Sequence, residues 1–194
     1  MAQRRTPREA WVRAALEALT EGGPEAVRVE VLAKRLGVTK GGFYGYFGGR
    51  GQLLAEALDV WEREAAQAVI DEVEQSRGDA RERLKSLYGS VKAREETVRT
   101  EFAIREWARR DPVVAARLRR VDYARLGYVR GLHEELTDDA AEAATRAAMT
   151  IGLWLAGHYM RFDTEGFDHD AVLKLVFDRI TGDAEGLSGV RAAD

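Results

Sequence analysis

Val29–Phe47 reads VEVLAKRLGVTKGGFYGYF, two short apolar repeats joined by a single glycine. In the first repeat Val29, Leu32, Ala33 and Leu36 recur at helical spacing, Lys34 and Arg35 turn outward, and the pattern stops at Gly37. In the second, Thr39 stands where an N-cap belongs, and Phe43, Tyr46 and Phe47 follow at helical spacing. Gly37 can take the positive φ that reverses the chain, and Ala33 is small enough for close helix approach. Leu32, Leu36, Val38 and Phe43 fill the wedge between the helices. These offsets predict a helix-turn-helix over about residues 28–47, of the kind that reads DNA.

Upstream, Thr6-Pro7-Arg8-Glu9 is a helix start signal: a threonine cap, proline at the first helical position and a glutamate able to reach back. A helix from Pro7 to Thr20 follows, with Trp11, Ala15, Leu16 and Leu19 on its apolar face, and Gly22-Gly23-Pro24 ends it. Downstream, Arg50 leads into Leu53, Leu54, Ala57 and Trp61, a helix running to about Val73. Further helices are predicted over Ala80–Ala93, Thr97–Arg110, Val113–Leu136, Asp138–Phe162 and Asp168–Thr181. Asp111, the run Thr137-Asp138-Asp139, and Asp168 or Asp170 provide acidic caps. No alternating strand pattern and no fixed repeat occurs. The expected fold is all-α, with a three-helix DNA-binding domain over 6–50, a helical regulatory and dimerisation domain over 51–183, and a flexible tail over 184–194.

The chain has 194 residues, 45% of them apolar, enough for a packed core. Net charge is -3, yet residues 1 to 60 hold nine Lys/Arg against seven Asp/Glu, leaving 21 against 26 for the remainder. The positive balance lies beside the helix-turn-helix and points weakly to a polyanion. Absence of cysteine excludes disulfides and thiolate metal sites and fits a reducing compartment. Ala147–Gly157, the longest near-apolar run, is far short of the ~20 residues that span a bilayer, so a cytoplasmic protein is expected. His133, His158 and His169 lack metal-ligand spacing and no serine sits in a nucleophile elbow; neither catalysis nor a metal or cofactor is expected.

Lys40–Arg50, KGGFYGYFGGR, has two competing readings. The basic-Gly-aromatic box of an RNA-recognition strand is one residue out of register and needs a sheet that the flanking sequence does not supply. A nucleotide loop needs GxGxxG or GxxxxGK[ST], and neither occurs. The glycines fit a helix instead. Gly41, Gly42 and Gly45 each cost about 1 kcal/mol relative to alanine, which is understandable where a backbone must lie close to DNA.

With the capped helix before it, VEVLAKRLGVTKGGFYGYFGGRGQLL resembles the N-terminal domain of the TetR family of transcriptional regulators, over residues 6 to about 61. The resemblance implies a dimeric repressor with an operator-binding head and a C-terminal domain that dimerises and binds a small-molecule inducer. Carried over by position, it implies that Thr39 caps the recognition helix and contacts a phosphate, that Lys40 enters the major groove, that Tyr44 reaches the DNA backbone, and that Arg50 is a phosphate contact. Family members often carry histidine or tryptophan where Gly45 stands and histidine where Tyr46 stands, so those side-chain contacts have no counterpart here. Arg4 and Arg5 read equally as a loose terminus or as an arm reaching the minor groove.

Beyond the head, small residues in Asp138–Phe162 permit close helix packing, and Ala171–Ile180 is apolar on more than one face. With the family resemblance, this implies a four-helix dimer interface, with Ala148, Gly152, Leu155, Val172, Val176 and Ile180 as candidates. Phe102, Trp107, Tyr128, Trp154 and His158 are candidate walls of an effector pocket, combining apolar surface with a few polar groups. The expected partners are a double-stranded DNA operator, a second copy of the chain and a small molecule. The competing reading is a helical ligand-carrier or protein-interaction protein whose helix-turn-helix is purely structural.

Overall fold

The computed structural model describes residues 7–76, 78–92 and 95–182, with the side chains of 91–96 excepted. Among these residues the elements are α1 (Arg8–Gly22), α2 (Val29–Arg35), α3 (Lys40–Tyr44), α4 (Arg50–Glu62), α5 (Ala68–Gln75), α6 (Ala80–Lys92), α7 (Glu95–Ala108), α8 (Pro112–Glu134), α9 (Ala140–Tyr159) and α10 (His169–Thr181). The described residues contain no strand, only one antiparallel bridge between Thr164 and Phe167. Arg4, Arg5, the Thr6 cap and the tail expected from 184 lie outside the described residues. Pro7 occupies the cap position of α1, which begins at Arg8.

The chain packs as two compact units, Met1–Val69 with Lys92–Asp122, and Ile70–Val91 with Tyr123–Asp194. These limits differ from the division at residue 50 suggested by sequence, because Leu53, Leu54, Ala57, Leu58 and Trp61 of α4 close the same core as the head. In that first unit Trp11, Leu19, Leu32, Phe43, Phe47, Leu53, Trp61 and Ile104 are almost fully buried. Phe43 stacks on Phe47 at 5.1 Å between ring centroids and meets Trp11 edge-on at 5.4 Å. Such aromatic pairs add about 1 kcal/mol beyond the area they bury.

Polar contacts brace the same unit. Arg117 of α8 reaches Asp59 at 2.5 Å and Glu62 at 3.0 Å on α4, and Arg120 reaches Glu62 at 2.9 Å. On α7, Arg105 pairs with the buried carboxylate of Glu101 and with Asp122. Desolvation alone would lower the Arg105 pKa, but hydrogen bonds and the charges of Asp122 and Glu101 outweigh it and hold the guanidinium above its ordinary value.

Between α4 and α5 the helix widens into a π turn, Arg63–Gln67, where the Ala68 N–H reaches the carbonyl of Arg63, five residues back. The sequence predicts an unbroken α-helix here.

The second unit has its own core of Ala80, Leu84, Val129, Leu132, Ala147 and Phe177. His133 is completely buried there, its Nε2 3.3 Å from the Thr150 hydroxyl. Asp139 accepts from the N–H groups of Ala141 and Glu142 to cap α9, and Asp168 accepts from Ala171 to cap α10. Asp79 and Glu82 form a reciprocal capping box at the start of α6, each side chain accepting from the other's N–H.

Candidate nucleic-acid interface

α2 ends in a Schellman motif: the Gly37 N–H donates to Lys34 at 3.2 Å and the Val38 N–H to Ala33 at 2.9 Å. Gly37 has φ 68°, a conformation that strains a residue with a Cβ. The reversal sends the chain directly into α3, which is shorter than the predicted helix to Phe47. After Tyr44 the backbone tightens, with the Tyr46 N–H donating to Phe43. Glycines at 41, 42 and 45 weaken the helix, so only the turn anchored by Phe43 and Phe47 persists.

α3 is divided sharply between its two sides. Phe43 and Phe47 face the core, while Thr39, Lys40, Gly41, Gly42, Tyr44 and Gly45 are exposed. Tyr44 is 57% exposed, an unusual position for a tyrosine held edge-on against a buried phenylalanine at 5.2 Å. An alanine Cβ at Gly42 would meet no atom within 4 Å, so its glycine is not required by packing within the chain. The result is a backbone ledge, bare at Gly41 and Gly42, with Lys40 at one end and Tyr44 at the other. Thr39 occupies the cap position, but its side chain makes no capping hydrogen bond, which corrects that part of the expectation.

Two cations have definite partners. Lys40 forms an ion pair with Glu30, the second residue of α2. That hydrogen bond is the main reason Lys40 is held above its ordinary pKa and Glu30 below its own, with Arg28 adding to the effect on Glu30. Glu30 lies beside Lys40 and Arg28 is exposed at the cap position of α2, and the sequence reading passed over both. Arg50 differs from its expected part as a presented phosphate contact. Its Nε donates to the Val27 carbonyl at 2.7 Å and its Nη2 to the Pro24 carbonyl, so it holds the 3-10 turn Pro24–Ala26 that feeds α2.

The other candidate residues divide between the two units. Phe102 and Trp107 belong to the first unit, and Tyr128, Trp154 and His158 to the second. Tyr128 donates to Glu74 at 2.7 Å, and burial together with that carboxylate pushes its pKa upward. Trp154 lies under the Arg125 guanidinium at 4.7 Å, and its carbonyl is 2.8 Å from His158 Nδ1. Of the candidate dimer residues, Ala148, Gly152 and Val176 are exposed, and Leu155 and Val172 are half-buried. Ile180 is buried in its own chain, because α10 turns it to the same side as Phe177, and it is removed from that set. The described residues hold no group of three or more His, Cys, Asp or Glu arranged for a metal, and no helix long and apolar enough to cross a membrane.

The described residues are helical, and the head presents a helix-turn-helix with a bare, exposed second helix, which places it in the class of helix-turn-helix folds. Residues 12–57 match the family model of bacterial regulatory proteins of the tetR family. Three solved structures show the same fold across nearly the whole chain. A transcriptional regulator of Streptomyces coelicolor A3(2) has 24% identity and a TM-score of 0.63, over 90% of this chain and 97% of that one. One from Rhodococcus sp. Rha1 has 22% identity and a TM-score of 0.65, over 97% and 100%. The FadR regulator of Bacillus subtilis, solved in complex with stearoyl-CoA, has 17% identity and a TM-score of 0.65, over 90% and 98%. No curated protein sequence matches the chain. Residues 12–57 thus carry the pattern of the TetR-family DNA-binding domain, and the solved structures share the all-helical fold of the rest.

Proposed function

We propose that the protein is a cytoplasmic, non-catalytic repressor that binds a palindromic operator as a homodimer and is released by a small molecule. The observation that carries the operator half of this reading is the two-sided α3. A buried Phe43–Phe47 edge fixes it to the head, and the opposite edge offers only backbone, Lys40 and Tyr44. That surface suits shallow, close entry into a major groove, with Tyr44 and the Thr39 hydroxyl in reach of phosphates and few side chains left to read bases. The dimer half is supported by Ala148, Met149, Gly152 and Val176, small or apolar residues left exposed on α9 and α10.

An apolar ligand with a polar end would suit the aromatic and basic groups around Trp154, and the fold-level relative that holds stearoyl-CoA supports that choice of class. Release follows if ligand binding moves the two recognition helices away from the separation of about 34–36 Å that lets them enter successive major grooves.

The test is selection of bound duplexes from a random pool with the full-length protein. A palindromic consensus is expected, and replacing Lys40 by alanine should weaken binding to it. A pool that enriches no sequence would overturn operator binding and favour a ligand carrier with a structural helix-turn-helix.

A further inference from the structure

The Lys40–Glu30 pair joins the two helices of the helix-turn-helix on their exposed side. Lys40 is 49% exposed and Glu30 64%, so neither is buried for packing, and the interaction in water is weak. Its importance lies in where it sits. A carboxylate on the face that meets DNA is an electrostatic liability, because a phosphate backbone offers only negative charge and acceptors. For Lys40 to move to a phosphate, Glu30 would have to face that backbone with its main partner gone. Arg28 is the other cation acting on Glu30, and it stands exposed at the cap position of α2.

Base edges are different. In the major groove guanine offers two acceptors, O6 and N7, and its partner cytosine offers the N4 amino group as a donor. An ammonium and a carboxylate held side by side match that pattern without separating: Lys40 donates to guanine and Glu30 accepts from cytosine. We propose that Glu30 is a specificity-determining residue, acting as counter-ion to Lys40 against non-specific DNA and, together with it, reading a G·C pair in each operator half-site. The inference rests on the operator-binding reading above, and it names the part of the sequence that the otherwise bare α3 can recognise directly.

The experiment compares wild-type protein with Glu30→Gln, which keeps the size of the side chain and removes its charge. Affinities are measured for the selected operator and for a scrambled duplex of equal length, over a range of salt. Loss of the counter-ion should tighten binding to the scrambled duplex and steepen its salt dependence by about one ion. The ratio of operator to scrambled affinity should fall about tenfold, the size expected for one direct base contact. Repeating the selection with the variant should lose the preference for G·C at one position per half-site and keep the others. An unchanged consensus, or equal tightening on both duplexes, would overturn the proposal. If wild-type protein enriches no sequence, operator binding itself fails. The scrambled duplex then still decides on the counter-ion, since unchanged affinity in the variant would eliminate that too. Thermal melting of the variant keeps loss of folding apart from these outcomes.

Discussion

Arg50 Nε donates to the carbonyl oxygen of Val27 at 2.7 Å, across 23 residues of chain. With the second bond to Pro24, the first residue of α4 fixes the approach to α2. Arg50→Ala should therefore lower the unfolding free energy by about 1.5–3 kcal/mol, the range for hydrogen bonds from a charged donor. Lysine should recover little of this, since an ammonium cannot reproduce the guanidinium fork. Urea unfolding measures the loss. Binding to DNA should weaken while its salt dependence stays as in wild type; a slope reduced by about one ion would restore Arg50 as a phosphate contact.

Gly42 lies within α3, and the space around its missing Cβ is open. Alanine there should stabilise the protein by up to about 1 kcal/mol through helix propensity. If the backbone approaches DNA closely, the same methyl should weaken operator binding. Melting temperature and a DNA titration on one preparation give both signs. A variant that melts higher and binds as well as wild type would argue against close approach.

Arg105 donates to Glu101 at 2.9 and 2.8 Å, and the carboxylate is only 1% exposed. Arg105→Ala would leave that charge buried without its guanidinium and should cost about 3 kcal/mol. Changing both residues, to methionine and leucine, should recover most of the loss because no buried charge remains. Equal destabilisation in the single and double variants would show that packing, not charge, sets the cost.

His133 is held neutral by burial, with the positive charge of Arg146 a further cause. Its pKa in the fold is below the ordinary imidazole value of 6.5, so on acidification the unfolded chain takes up the proton first. This residue should thus leave stability unchanged above about pH 7 and reduce it progressively as pH falls below 6.5, until the folded-state pKa is passed. His133→Gln should flatten the decline in that window. Denaturant midpoints measured at half-unit steps of pH would reveal an unaltered decline if another group is responsible.

Much of this was legible in the chain because it depends on neighbours in sequence. Apolar spacing located the helices of the head, Gly37 marked the reversal, and the runs Thr137-Asp138-Asp139 and Asp168 or Asp170 marked two caps, of which the fold uses Asp139 and Asp168. The partners of side chains were not legible. Arg50 has the same sequence context whether it meets a phosphate or the carbonyls of Pro24 and Val27, and only the packed turn decides. Nothing in the sequence singles out Glu30, because only the fold brings Lys40, ten residues on, against it. Ile180 was assigned to an interface because α10 is apolar on several sides. Which apolar side faces its own core depends on packing that periodicity does not specify.

Trp61, Ala65 and Val69 are all buried at a strict spacing of four. In a regular α-helix each such step overshoots a full turn by about 40°, and two steps would carry the stripe about 80° round. The wide turn at Arg63–Gln67 takes up that drift, so the helix contains in effect one residue more than its phase allows. Insertions and deletions are usually confined to loops, yet this is a place inside a helix where losing a single residue would repair the hydrogen-bond ladder. The bearing would change little: Val69 would then stand seven regular steps from Trp61, about 700°, within about 20° of the side it faces now.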